Sequence, residues 1–172
     1  MAQLPIIHAP DPRLKVKSTT VEKIDASVAK LLDDMLETMY AAPGIGLAAI
    51  QVGVPKRMLV IDLAREDEPK NPLKIINPEV IDVADTDKVW EEGCLSLPEQ
   101  YAEVERPEWV EIKYLDETGA EKRLKADGVL AVCLQHEIDH LDGILFVDHL
   151  SAVKRNMILR KLVKQRRMKA AG

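Results

Sequence analysis

The residues best suited to chemistry lie together in Gln135-His136-Glu137-Ile138-Asp139-His140. On a helix, residues four apart stack on one face, so His136 and His140 present two imidazoles to a single ion, with the Glu137 carboxylate beside them. This is the H-E-x-x-H spacing, in which two histidines bind a divalent metal and the acid handles the protons of its water. An amphipathic helix with two chance histidines is the bland alternative, and it leaves unexplained why every position of the motif is filled.

Catalytic metals of this kind take three protein ligands and a water. The extended pattern H-E-x-x-H-x-x-G-x-x-H keeps Gly143 but meets Phe146 where the third histidine belongs. A downstream glutamate also fails, because after Asp142 the only carboxylates are Asp148 and the C-terminus. That leaves the two cysteines, Cys94 and Cys133. Ligands at 133, 136 and 140 would span about 10 Å of straight helix, whereas an ion reaches roughly 2 Å to each donor. Cys133 is therefore read as a small buried hydrophobe lining the site, and Cys94 as a ligand carried in on a loop. Gly93 gives that loop freedom to approach, and Pro98 is expected to end the extended run.

Three segments in order, Gly44-Ile45-Gly46-Leu47-Ala48-Ala49-Ile50-Gln51, Glu92-Gly93-Cys94-Leu95-Ser96 and Gln135-His136-Glu137-Ile138-Asp139-His140, resemble the signature motifs of the peptide deformylase family. The likeness runs from His8-Ala9-Pro10-Asp11-Pro12-Arg13-Leu14 to the basic tail. The resemblance implies an enzyme that hydrolyses the formyl group from the N-terminal formylmethionine of nascent chains. Cys94, His136 and His140 would hold the metal and Glu137 would move the proton. The metal, the Gln51 amide and the Leu95 backbone N–H would face the oxyanion. Gly44, Ile45 and Gly46 would pair with the substrate peptide as an added strand. A methionine pocket would be lined by Ile45, Trp90, Leu95, Val129, Val132 and Cys133, with Glu92 and Gly93 also at the substrate. Some relatives carry Arg where this chain has Tyr101, which bears on preference downstream of the methionine. Thiolate and imidazole suit zinc, iron, cobalt and nickel alike; the resemblance implies iron(II) in the cell.

Two other classes compete. A metallopeptidase cutting internal amide bonds is disfavoured by the failed third-ligand patterns. A closed zinc module that binds RNA would need a fourth protein ligand, which nothing clearly supplies.

The elements that must position these residues can be read from periodicity. A helix is predicted from about Asp25 to Tyr40, where Val28, Leu31, Leu32, Met35 and Met39 recur at three- and four-residue spacing, and Pro43-Gly44 stops it. Strands are predicted over 57–63 and 73–76, the latter broken by Asn77-Pro78, and again around 80–83, 101–104, 109–114 and 121–125. Asp116-Glu117-Thr118-Gly119 reads as a hairpin turn. Asp127 is expected to cap a helix from Gly128 to Leu141, closed by Gly143. The first twenty residues read as an extended arm with a turn at Asp11-Pro12-Arg13. The expected fold is α+β: mostly antiparallel strands around a central metal-binding helix, with an N-terminal and a C-terminal helix.

At 172 residues, 47% hydrophobic and 31% charged, the chain has the composition of one ordinary globular domain. Pro5, Pro10 and Pro12 interrupt the start where a signal peptide needs an apolar run, and no stretch reaches membrane-span length, so the expectation is a cytoplasmic protein without membrane contact, and a monomer. The net charge of −5 is uneven: residues 151–172 carry +8 and the remainder −13. Residues 1–150 are read as the catalytic domain and 151–172 as a basic helical extension. The extension's apolar positions do not gather on one stripe, so it is not expected to pack as a core helix. Its Lys154, Arg155, Arg160, Lys161, Lys164, Arg166 and Arg167, with Lys169, are expected to meet ribosomal RNA and protein near the tunnel exit.

Overall fold

The computed structural model describes residues 2–171. Strands β1 (Gly46–Ala48), β2 (Met58–Ile61), β3 (Leu73–Val83), β6 (Trp109–Leu115) and β7 (Glu121–Asp127) form an antiparallel sheet in the order β1-β2-β3-β6-β7. Strands β4 (Asp87–Cys94) and β5 (Leu97–Pro107) form a separate two-stranded ribbon. The helices are α1 (Ala26–Ala41), α2 (Gly128–Leu141) and α3 (Ala152–Ala171). This is the expected α+β arrangement. Among the described residues no helix is long and apolar enough to cross a membrane.

Side chains alternate along a strand, so the inner strands serve two layers. Ala48, Leu59, Ile61 and Ile75 share one core with Leu134, Ile138 and Leu141 of α2. Their neighbours Leu47, Met58, Val60 and Ile76 share another with Leu32, Met35 and Met39 of α1. The two helices thus take opposite faces of the sheet, and each such buried side chain contributes roughly 1.5–3 kcal/mol. That packing, more than helix propensity, holds α2 in place.

The ends of the helices differ from expectation at one point. Asp25 caps α1, its Oδ1 accepting from Ser27 N at 3.0 Å and Val28 N at 3.2 Å. Asp127, predicted to cap α2, makes no capping hydrogen bond with its side chain, because the chain turns straight out of β7 into the helix. The C-terminal stop is as read: Gly143 takes φ +75° and donates to His140 O at 3.1 Å.

Four expectations need correction. Asn77-Pro78 does not break the strand, since β3 runs through it from Leu73 to Val83 with a register shift between Ile76 and Glu79. The missing proline donor falls at the bulge, and Asn77, at φ +51°, braces it by accepting from Val21 N at 2.8 Å and donating to Val21 O at 2.9 Å. Cys94 is the last residue of β4, in a tight hairpin with Leu97 opposite it, and Pro98 lies inside β5. The tail helix does pack: Ile158 and Leu162, one turn apart, are buried with Leu97, Val104 and Phe146. Two positions suffice, although they form no stripe that periodicity detects.

The N-terminal arm is extended with a single 3-10 turn at Pro12–Lys15. Its backbone is tied to two of the three motif segments, Ile7 N to Gln51 O at 2.7 Å and Ala9 N to Ser96 O at 2.8 Å.

Candidate metal centre

Helix α2 places His136 and His140 on its face toward the ribbon, both buried, with ring centroids 5.0 Å apart. The β4–β5 hairpin brings Cys94 to them from another part of the fold, Sγ standing 3.4 Å from His140 Nε2. One donor atom from each of the three residues lies within 4.8 Å of the others. Donors held roughly 2.0–2.3 Å from a tetrahedral ion are themselves about 3.5 Å apart, so the set is of the right size.

The approach depends on glycine at two places. A Cβ on Gly46 would come within 3.0 Å of Cys133 Sγ and Glu137 Cγ, and one on Gly93 within 2.6 Å of the Tyr101 ring. Gln51 sits on the 3-10 turn after β1. Its Oε1 accepts from Ala48 N at 2.9 Å, while Nε2 donates to Ser96 Oγ at 2.9 Å and lies 3.5 Å from Cys94 Sγ. The amide is therefore fixed in orientation, with its NH2 end toward the ligand cluster.

His136 Nδ1 meets Glu92 Oε1 at 2.9 Å, which turns Nε2 toward the site. The other side of Glu92 is a buried fork from Arg106, Nε to Oε2 at 2.5 Å and Nη2 to Oε1 at 2.9 Å, and Arg106 Nη1 continues to Asp139 Oδ2 at 2.9 Å. His149 Nε2 meets the same Asp139 oxygen at 2.8 Å. Burial alone would raise the Glu92 carboxyl, but hydrogen bonds from His136 and Arg106 outweigh it and hold the group ionised. Glu137 has no such support. Burial pushes it up to about 7, and its Oε2 is buried without a hydrogen-bond partner. It lines the cleft rather than joining the ligand set, with Oε1 3.7 Å from His136 Nε2.

The two imidazoles are pulled in opposite directions. Burial opposes protonation of His136, yet Cys94 and Glu92 drive it well above the usual imidazole range; His140 is driven well below by burial and by His136. A cysteine sulfur and two imidazoles are a donor set that a divalent ion such as zinc or iron would take. Cys133 is pushed well up by burial, so it remains a thiol, as expected of a wall residue.

Above the ligands a cavity of about 680 Å³ is lined by all six residues predicted for the methionine pocket, Ile45, Trp90, Leu95, Val129, Val132 and Cys133. Gly44, Gly46, Glu92 and Gly93 line it as well, and Tyr101 stands at its margin, 66% exposed. Glu92, expected at the substrate, lines this cavity with both carboxylate oxygens engaged by His136 and Arg106. Strand β1 is the edge of its sheet, next to this cavity. The basic residues of the tail lie on α3, with Lys154, Arg160, Lys161, Lys164, Arg166 and Arg167 exposed and Arg155 half-buried.

Sequence reasoning missed Arg106, Asp139 and His149. Arg106 lies fourteen residues from Glu92 and thirty-three from Asp139, and nothing local marks it. Asp139 does carry a signal: it lies three residues from His136 on the same helix.

An α+β scaffold that brings a hairpin cysteine to the two histidines of a H-E-x-x-H helix, with a further carboxylate beside them, defines a metal-dependent hydrolase. A family model for polypeptide deformylase matches residues 3–156. Peptide deformylase of Agrobacterium fabrum is 57% identical over 96% of this chain and 97% of its own. That of Mesorhizobium japonicum is 57% identical over 98% and 96%. Among solved structures, peptide deformylase from Ehrlichia chaffeensis superposes with a TM-score of 0.94 at 44% identity, covering 98% of this chain and 99% of that one. A structure of the Ehrlichia chaffeensis protein in complex with actinonin gives 0.92 at 46% identity, covering 96% and 98%. The chain belongs to the polypeptide deformylase family and is an enzyme of that kind, removing the formyl group from the N-terminus of nascent peptides.

Proposed function

We propose that Cys94, His136 and His140 hold one divalent ion and that Glu137, Gln51 and the Leu95 backbone N–H carry the chemistry with it. When bound, the ion acidifies a water and polarises the formyl carbonyl. Glu137 takes the proton of the attacking water on its buried carboxylate and returns it to the departing amine; burial matches its affinity for a proton to that task. The Gln51 amide and the Leu95 N–H donate to the oxyanion, and one such donor contributes about 3 kcal/mol. Gly44, Ile45 and Gly46, leading into the edge strand β1, pair with the substrate backbone, while the cavity takes the methionine side chain. The single observation that carries this reading is three ligand atoms within 4.8 Å, with an unpartnered Glu137 oxygen beside them in the cleft.

Iron(II) is the proposed ion in the cell, with zinc, nickel or cobalt able to take its place, and the protein is proposed to act as a cytoplasmic monomer. Residues 1–150 form the proposed catalytic domain. The exposed basic residues of the 151–172 extension are proposed to dock on the ribosome; because Ile158 and Leu162 belong to the core, charge neutralisation tests this better than truncation. Gln at Lys154, Arg160, Lys161, Lys164 and Arg167 should weaken ribosome co-sedimentation, and equal co-sedimentation would reject the tail as anchor. For the active site, the test is anaerobic purification, metal analysis and measurement of formate released from a formyl-methionyl peptide. Stoichiometric metal without formate release would overturn the reading.

A further inference from the structure

Beside the active-site cleft lies a second cavity, of about 430 Å³, between the N-terminal arm and α3. Ile7, Val52 and Leu162 give it an apolar lining, and Arg13, Arg166 and Lys169 supply charge. Ile6, His8 and Pro98 line both this cavity and the cleft, so the two spaces adjoin. Arg166, which the sequence assigns to a ribosome surface, belongs to this recess; Arg160, Lys164 and Arg167 line a different one with Pro10.

The positive charge in the recess is only partly neutralised from within, since three cations line it against one acid, Asp11, which feels Arg166 as well as Arg13. Its acid, Asp11, is committed to Arg13 at 2.9 Å, whereas Arg166 and Lys169 join no ion pair among the described residues. Both are close enough to His8 that, after burial, their charges are what lowers that imidazole. The walls are held in place: Ile7 and Ala9 are hydrogen-bonded into the motif turns, and Leu162 is built into the core. A preformed recess costs a ligand little ordering entropy.

The substrate chain is the occupant its position favours. With the methionine side chain against Trp90, Val132 and Cys133, the rest of the polypeptide leaves over the cleft's remaining lining, which beside Pro43 and Tyr101 offers Ile6, His8, Pro98 and Glu99. Three of those four continue into the second cavity. A chain already tethered at its N-terminus has a high effective concentration there, so even weak ion pairs count. Glu99, exposed at the boundary, repels an acid placed on it, which moves the preference beyond that point.

We propose that this cavity is a downstream subsite, which binds acidic side chains of the substrate several residues after the formylmethionine through Arg166 and Lys169. The proposal rests on the deformylase reading above. Exposed ion pairs are individually weak, so the expected preference is about three- to tenfold.

The test uses the metal-loaded full chain and formyl-Met-Ala-Ala-Gly-Ala peptides extended by three Asp, three Ala or three Lys residues. Low-salt kcat/KM should fall in the order Asp, Ala, Lys, through KM rather than kcat, and the spread should shrink in high salt. The Asp-to-Ala ratio should drop to about one in Arg166→Gln/Lys169→Gln and persist in Lys154→Gln/Lys161→Gln. Equal kcat/KM for Asp and Ala peptides in the unaltered enzyme overturns the subsite and leaves deformylation standing. A ratio unchanged by Arg166→Gln/Lys169→Gln, with ribosome co-sedimentation lost instead, assigns the recess to the ribosome and also overturns it. Failure to release formate from any of the three peptides rejects the deformylase reading and the subsite together.

Discussion

On one side of the His136 ring, Glu92 is buried with both oxygens engaged by Arg106 and His136; on the other, Glu137 is buried with one oxygen unpartnered. The same side chain at similar depth is held below the usual carboxylate range in the first place and pushed up to about 7 in the second. Burial opposes ionisation in both, and the difference is the set of hydrogen bonds from His136 and Arg106, which only Glu92 accepts. The layer beneath the ring is closed and satisfied, and serves to orient. The cleft above it keeps a carboxylate with spare proton affinity, and serves to react.

Five substitutions would break or sharpen that contrast. Cys94→Ala removes the ligand that only the hairpin brings, and both metal content and formate release should be lost; retained stoichiometric metal would reject Cys94 as a ligand. Glu137→Gln preserves size but not proton affinity, so metal should stay while turnover falls at least about a hundredfold; near-normal turnover would reject Glu137 as the base.

Effects beneath the ring should show in stability before chemistry. Arg106→Met leaves Glu92 and Asp139 without their cation, and chemical denaturation should register a loss of about 3–5 kcal/mol. A loss below about 1 kcal/mol would mean that the two acids find other partners. Glu92→Gln keeps a hydrogen-bond acceptor for His136 but drops the charge, and competitive chelation should show metal affinity lowered about 10–100-fold. Cys133→Ala, in the wall of the cleft, should cost about 1 kcal/mol and leave metal content unchanged; loss of the metal instead would exchange the roles of the two cysteines.

How far each side was legible follows from the separation of its partners. His136, Glu137 and His140 were readable because a helix converts a spacing of four into a shared face. Cys94 was readable by elimination, from the small number of soft donors left once two patterns had failed. The bracing of Glu92 was not legible, because Arg106 lies fourteen positions away and His136 forty-four, with no local mark of either contact. Asn77-Pro78 was read as a strand end, because a proline in a strand is excluded by rule unless a bulge absorbs it, and the bulge needs Val21 from elsewhere in the chain. The tail was read as unpacked because two buried positions do not produce a period, although one turn of contact with Phe146, Leu97 and Val104 is enough to seat it.

What the sequence by itself determined is the set of candidate donors, the three helices and most of the strands, since each depends on residue type and short-range spacing; β1 and β4 it left unmarked. Only the tertiary structure decided which acid is held ionised by buried partners and which keeps a raised proton affinity, and that the tail's Arg166 lines a recess beside the cleft. Those depend on the desolvation and charge that distant segments impose on a group, and such surroundings exist only once the chain has folded.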